Sequence, residues 1–143
     1  MKDVVDLDVE VPQERLSELM ADPARTTEWM DDVERCEAVA GVPGTPGSQY
    51  RLVPRKGSMV FVATVLSRDV PNELRLALES PQASVKVTSR FVPLSADRTR
   101  LISEEVFTFR GAFKIVGLFT RPAIHKAHRH HIEAFKRFAE RER

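Results

Sequence analysis

Hydrophobic and acidic residues alternate at the start of the chain, where Val5, Leu7, Val9 and Val11 are separated by aspartate or glutamate. A period of two with polar partners is typical of a half-buried β-strand. The pattern therefore predicts that the chain opens with a strand whose apolar face lies in the core.

Two short helices are predicted next. A proline opens residues 12–20, where leucines recur at helical spacing, and proline suits the first turn of a helix. Asp22 before Pro23 is a typical N-cap with proline at the first helical position. The second helix should end near Trp29.

The remaining chain up to Gly111 has the pattern of strands. Apolar and β-branched residues recur in six segments separated by turn-forming residues: 33–41, 48–55, 58–70, 73–80, 83–94 and 98–109. Consecutive strands joined by short turns indicate an antiparallel meander. With the first strand, the predicted sheet has seven strands.

A helical pattern covers residues 112–143, which Pro122 is expected to kink or to divide into two pieces. The predicted architecture is α+β, with one strand, two short helices, six strands and a long C-terminal helix. A chain of 143 residues fits a single core, so one domain is expected over residues 1–143.

This order of elements carries a family resemblance, together with four stretches: LMADPARTTEWMDDV (19–33), PGSQYRL (46–52), RDVPNELRLAL (68–78) and RPAIHKAHRHHIEAFKRFAER (121–141). The chain resembles the START-like (SRPBCC) superfamily, or helix-grip fold, and within it the polyketide cyclase/dehydrase and lipid-transport group. The resemblance implies a curved sheet wrapped around the last helix, with an apolar cavity between them. Lipids, polyketides and isoprenoids are the ligand classes that it implies.

Charge and composition exclude several functions. The 22 basic and 21 acidic residues give a net charge of +1, which predicts no general attraction to nucleic acid. Cys36 is the single cysteine, and no segment reaches the roughly 18 to 20 apolar residues of a membrane span. We therefore expect a cytoplasmic protein without a signal peptide or stable membrane insertion. A homodimer remains possible.

All four histidines lie between His125 and His131, on the C-terminal helix. At about 100° per residue, His128 and His131 fall on the apolar face, His125 falls at its edge and His130 points away. Two imidazoles are therefore predicted to face the sheet.

The last predicted strand offers these imidazoles a partner, because Ser103, Glu105 and Phe107 share its inward face. A buried carboxylate is costly unless it is paired or protonated, and an imidazole is a suitable partner. Glu105, His128 and His131 are thus candidates for packing at the helix–sheet seam, for anchoring a polar ligand group, or for acid–base catalysis.

Apolar residues predicted to line the ligand site are Phe61, Val87, Phe107 and Phe135, from three strands and the last helix. Two further residues have alternative interpretations. Tyr50 is either a donor to a ligand carbonyl or an ordinary strand residue, and Trp29 is either a gate at the cavity mouth or a core residue.

Metal and nucleotide cofactors are not expected. His128 and His131 are three residues apart, but zinc would need a further ligand such as Glu105, and no HExxH motif is present. The glycine-rich GVPGTPGS lacks the arrangement of a nucleotide-binding loop.

Basic residues beside phenylalanines near residues 110–129 either contact a membrane surface or an anionic ligand, or form a solvated helix face.

Three functions remain open from the sequence. The leading prediction is binding of a hydrophobic or amphipathic small molecule between sheet and C-terminal helix. The second is an enzyme of the polyketide cyclase/dehydrase type that uses Glu105 or a histidine as acid and base. The third is a domain that docks a protein partner and has no functional cavity.

Overall fold

The computed structural model describes residues 1–143, with the side chain of Leu118 excepted. The helices are α1 (Gln13–Ala21), a 3₁₀ helix (Pro23–Glu28), α2 (Phe113–Phe119) and α3 (Arg121–Arg141). The strands are β1 (Lys2–Val9), β2 (Val33–Ala40), β3 (Gln49–Pro54), β4 (Phe61–Asp69), β5 (Glu73–Glu79), β6 (Ala83–Ser95) and β7 (Arg98–Phe109).

The seven strands form one antiparallel sheet in the order β1-β7-β6-β5-β4-β3-β2. Strands β2 to β7 are a meander, and β1 pairs with β7, so the first strand lies beside the last one. The predicted α+β class, strand number and helix positions are confirmed. This pairing matters for the site, because it places the start of the chain beside β7 and within reach of α3.

Helix α3 packs its apolar face against the sheet and α1. Ile132, Phe135 and Phe138 recur at helical spacing and are almost completely buried. They share a core with Leu16 of α1 and Leu101 of β7. Burial of this stripe stabilises the helix far more than its intrinsic propensity does.

The segment after the sheet is divided into two helices at Thr120. Pro122 lies in the first turn of α3, where its missing N–H would have no partner in the helix. The division expected at this proline is therefore observed. α2 packs beside β7, and α3 runs on to the end of the core.

Two predicted elements differ in detail from the structure. The second short helix is a 3₁₀ helix, capped by the Asp22 carboxylate, which accepts a hydrogen bond from the N–H of Ala24 at 3.0 Å. The strand predicted from residue 58 begins at Phe61 instead, because the turn after Gly57 occupies the preceding residues. Among the described residues, no helix is both long and apolar enough to cross a bilayer.

Candidate ligand-binding site

A cavity of about 130 Å³ lies between the inner face of the sheet, helix α3 and the segment from the end of α1 to Met30. Its wall is largely apolar and is formed by side chains from β2 to β7, from the segment around the 3₁₀ helix and from α3. Apolar lining residues include Met20, Met30, Leu52, Val65, Leu74, Leu76, Val87 and Ile132. Ser103, Glu105, His128 and His131 form a polar patch on one side.

A second groove, of about 250 Å³, adjoins the cavity and is lined in part by Met59, Phe61, Phe107 and Ile124. Glu105, His128 and His131 line both spaces. The polar groups therefore lie at the junction between an inner apolar cavity and an outer apolar groove.

His128 is the centre of the polar patch, and both of its ring nitrogens are hydrogen-bonded. Nδ1 lies 2.7 Å from Oδ2 of Asp3 on β1, and Nε2 lies 2.8 Å from Oγ of Ser103 on β7. The imidazole is 2% exposed. β1 and β7 are neighbours, so the register that pairs them also aligns these two partners around one ring.

The charge state of this triad follows from its surroundings. Burial raises the pKa of Asp3, but hydrogen bonds from His128 and His125 and the charges of these histidines outweigh it, so the pKa is lowered and Asp3 is ionised. Burial lowers the pKa of His128 despite the attraction of Asp3. Neutral His128 thus donates from Nδ1 to Asp3 and accepts the Ser103 hydroxyl at Nε2.

In this Ser–His–Asp arrangement, Nε2 of His128 can accept the proton of the Ser103 hydroxyl. Loss of that proton would make the oxygen of Ser103 a stronger nucleophile. Acyl transfer also requires donors for an oxyanion. Because β7 lies between β1 and β6, its backbone amides are committed to the sheet. The arrangement therefore fixes the orientation of His128 and of Ser103 but has no main-chain oxyanion hole at that strand.

Glu105 is the acid of the polar patch, and its pKa lies well above its ordinary value. Burial raises the pKa of its carboxyl to about 7, and the negative charge of Asp3 also raises it, while the charge of His131 opposes the shift. Its Oε1 lies 3.3 Å from Nδ1 of His128, but that nitrogen donates to Asp3 over a shorter distance. In its protonated form, Glu105 can donate a hydrogen bond, which a carboxylate cannot do.

The other three histidines also pair with carboxylates. His125 lies 2.8 Å from Asp3, His130 lies 2.9 Å from Asp31, and His131 lies 3.1 Å from Asp32. For His131, burial lowers the pKa, but the hydrogen bond and charge of Asp32 and the charge of Glu105 outweigh it, so its pKa is raised. The histidine cluster is thus held by acids from β1 and from the loop before β2.

The contacts between histidines and their protein partners determine which nitrogens are free to bind a metal. The zinc set considered from the sequence requires a free nitrogen on His128, but both of its nitrogens have protein partners. Asp31, Asp32 and His131 place ligand atoms within 4.8 Å of one another. The two carboxylates are exposed and form the histidine ion pairs described above.

The predicted site residues are distributed over three places. Trp29, Tyr50, Val87, Ser103, Glu105, His128 and His131 line the cavity, and Phe61 and Phe107 line the adjoining groove. Phe135 does not line either space within the described residues. It is completely buried and packs edge-on against Trp29, with ring centroids 5.0 Å apart, so its assignment to the cavity wall is corrected.

The hydroxyl of Tyr50 is engaged within the protein. It accepts a hydrogen bond from the N–H of Gly44 and lies 3.4 Å from Oγ of Ser48. The ring of Tyr50 contributes to the cavity wall, and its polar end holds the turn between β2 and β3. The bond from Gly44 uses an acceptor site of the hydroxyl, so the role of Tyr50 as a donor to a ligand carbonyl stays a prediction.

Unlike the Tyr50 hydroxyl, the indole N–H of Trp29 has no hydrogen-bond partner among the described residues. Its Nε1 is also buried. An unpaired buried donor costs about 1–3 kcal/mol, which a ligand acceptor could offset. Trp29 lines the cavity, and a ligand acceptor that reached Nε1 would satisfy this donor.

Asp3 and Asp32 are the site residues that the sequence analysis missed. Asp3 has the same parity as Val5 in β1, so the alternation of β1 contained the signal that its side chain faces inward. Asp32 lies in a loop, where no periodicity indicates the direction of a side chain.

Residues 4–140 match the family described as polyketide cyclase / dehydrase and lipid transport, and the chain belongs to this family. The recognition made from the sequence is thereby confirmed. No curated protein matches the sequence.

Solved structures with the same fold include a START superfamily protein from Mycobacterium smegmatis, with a TM-score of 0.79 and 15% identity over 99% of both chains. A putative uncharacterized protein from Rhizobium leguminosarum has a TM-score of 0.78 and 14% identity over 99% of this chain and 95% of that one. Norcoclaurine synthase from Thalictrum flavum, in complex with dopamine and hydroxybenzaldehyde, has a TM-score of 0.69 and 15% identity over 100% of this chain and 89% of its own. At these identities, the likeness is one of fold.

Proposed function

We propose that this protein binds a hydrophobic or amphipathic small molecule that carries a hydrogen-bond acceptor such as a carbonyl. The observation that carries the proposal is the position of Glu105, at the junction of an apolar cavity and an apolar groove. Binding sites for small molecules are commonly apolar, with a few placed polar groups that orient the ligand. The family description adds lipids and polyketides as ligand classes.

The volume of the cavity limits what it can hold. About 130 Å³ is close to the roughly 150 Å³ of an engineered apolar cavity that holds one benzene molecule. We infer that the cavity accommodates a part of the ligand about the size of one ring or a short branched chain. The remainder would extend past Glu105 into the groove of about 250 Å³.

The protonation of Glu105 defines the polar end of the ligand. A neutral carboxyl donates a hydrogen bond to a carbonyl oxygen, whereas a carboxylate repels it. With a pKa of about 7, this donor is lost as the pH rises further. The affinity for such a ligand should therefore fall above neutral pH and should lose this dependence in Glu105→Gln, whose amide still donates.

The test combines native mass spectrometry with a pair of variants. Val65 lines the cavity and is 6% exposed, whereas the next residue, Leu66, is 43% exposed on the other face. Val65→Phe should fill the cavity and remove the mass adduct that co-purifies with the wild type, while Leu66→Phe should retain it. An adduct that persists in a folded Val65→Phe variant would contradict the proposal, and extraction of the adduct would identify the ligand.

An enzyme of the cyclase/dehydrase type is the second candidate. It is favoured by the pKa of Glu105, because a carboxyl that titrates near neutrality can both give and accept a proton. His128 is less suited to this role, since both of its nitrogens are occupied. A bound compound that is converted by the wild type but not by Glu105→Gln would establish an enzyme, and an unchanged compound would support a binding protein.

A further inference from the structure

Helix α2 exposes an unusual amount of apolar surface. Within Phe113–Phe119, the exposed fractions are 41% for Phe113, 66% for Ile115, 50% for Val116 and 79% for Phe119. Large apolar side chains this close together on a surface are typical of interaction sites. We define these four residues as the α2 face.

The helix is attached to the sheet through its smallest residue. A Cβ placed on Gly117 would lie 2.5 Å from Cδ2 of Phe109, so the backbone of α2 lies directly against that ring. Gly117 is buried while the α2 face is exposed. This contact fixes the helix on β7 with its large apolar side chains directed away from the core.

Basic residues flank the α2 face along the chain, and Lys114 and Arg121 line the depression beneath α2. Between Val106 and Ile132 the sequence contains no acidic residue and five basic ones. Arg110 pairs with Glu79, and Arg129 pairs with Glu133. The salt bridges between described side chains do not include the other three, which are Lys114, Arg121 and Lys126.

We propose that the α2 face docks reversibly on an anionic lipid surface. Apolar side chains beside lysine and arginine are the composition of segments that lie in the interface of a membrane without crossing it. Each basic residue near an anionic surface strengthens binding several-fold. A seven-residue helix is too short to span a bilayer, so docking is peripheral.

The positive charge near the α2 face disfavours a second copy of this chain as the binding partner. A symmetric dimer places the same patch of both subunits face to face. Lys114 and Arg121, which lie beside α2, would then be brought toward their own copies, and this stretch offers no acidic residue to offset them. An anionic lipid surface instead complements these charges.

The α2 face is also close to the adjoining groove. Phe107 lines that groove and also the depression beneath α2, together with Phe109 and Gly117. Docking through α2 would bring the groove near the lipid surface. The docking proposal does not depend on what the cavity binds.

Vesicle co-sedimentation of the full chain tests the proposal. Wild-type protein should sediment with vesicles of phosphatidylcholine and phosphatidylglycerol at least tenfold more strongly than with phosphatidylcholine alone, and salt should weaken the binding. Ile115→Ser combined with Phe119→Ser should abolish sedimentation. Lys114→Gln and Lys126→Gln should each weaken it about fivefold.

The matched control is Val92→Ser combined with Leu94→Ser. These residues are 41% and 43% exposed, and they lie near the hairpin at the other end of β6 and β7. This variant should sediment like the wild type, as should Val65→Phe, which blocks only the cavity. Thermal melting checks that each variant is folded.

Two results would overturn docking on lipid. One is wild-type protein that stays in the supernatant with anionic vesicles or that binds neutral vesicles equally well. The other is a wild-type dimer, measured by light scattering, that the Ile115→Ser and Phe119→Ser changes dissociate while vesicles have no effect. That outcome would assign the α2 face to self-association.

Discussion

Asp3 and His128, which are 125 positions apart, share a hydrogen bond of 2.7 Å between Oδ2 and Nδ1. The bond joins the first strand to the last helix inside the core, where neither side chain has much contact with water. The same imidazole reaches Ser103 with its other nitrogen. These three residues connect β1, α3 and β7 at the polar side of the cavity.

Removing the charge of Asp3 should destabilise the protein. Asp3→Asn retains the shape of the side chain but weakens its bonds to His128 and His125, and we expect a loss of about 1–3 kcal/mol in the free energy of unfolding. Urea denaturation measures this loss. Asp6→Asn is the matched control, because Asp6 is exposed on the other face of β1. Equal effects of the two changes would show that the buried network contributes no stability.

Glu105 should make stability depend on pH between about 4.5 and 7. Its pKa in the folded state, about 7, is above its ordinary value of 4.5. The folded state therefore binds the proton more tightly, and the contribution of Glu105 to stability is complete at low pH and is lost as the pH rises through 7.

Glu105→Gln tests this linkage. Near pH 8 the variant should be more stable than the wild type by roughly 2–3 kcal/mol, and near pH 4 the difference should vanish. Glu104→Gln is the control on the same strand. It removes a salt bridge to Lys2 on the outer face and should not stabilise the protein. A Glu105→Gln variant with no gain at high pH would show that Glu105 is ionised without cost.

The indole N–H of Trp29 and the protonated carboxyl of Glu105 predict a preference for carbonyl ligands. Acetophenone and ethylbenzene have similar shapes, but only acetophenone accepts a hydrogen bond. We expect acetophenone to bind about tenfold more tightly below pH 7, since one hydrogen bond in a buried site contributes about 1–1.5 kcal/mol. Ligand-observed NMR titration measures both affinities.

Trp29→Phe should reduce this preference without changing the affinity for ethylbenzene, because it removes the indole N–H and keeps an aromatic ring. Met30→Leu, at an adjacent lining position, should retain the preference. Equal binding of the two compounds to the wild-type protein would contradict the assignment of Glu105 and Trp29 as donors.

The periodicity of the sequence was sufficient to predict the direction in which most site side chains point. The alternation in β7 predicted that Ser103 and Glu105 share a face, and both line the cavity. The helical angles separated buried His128 from exposed His130. Both predictions follow from local geometry, because the side-chain direction repeats with the period of the element.

The partners of these side chains could not be predicted in the same way. Glu105 lies 3.3 Å from Nδ1 of His128, as the expected pairing requires, but Asp3 lies closer to the same nitrogen, at 2.7 Å, and burial raises the pKa of Glu105 to about 7. Phe135 was placed at the cavity wall, yet it packs against Trp29 in the core. Each result depends on which atoms of distant elements come within a few ångströms.

The sequence by itself determined the seven strands, the long C-terminal helix and the inward direction of His128 and His131, since hydrophobic periodicity is a local property of the chain. The tertiary structure decided that the pKa of Glu105 is raised, that both ring nitrogens of His128 are hydrogen-bonded, and that the apolar side chains of the α2 face are exposed. These depend on the pairing of β1 with β7 and on the packing of helices against the sheet, which set burial and charge at each side chain over long separations in sequence.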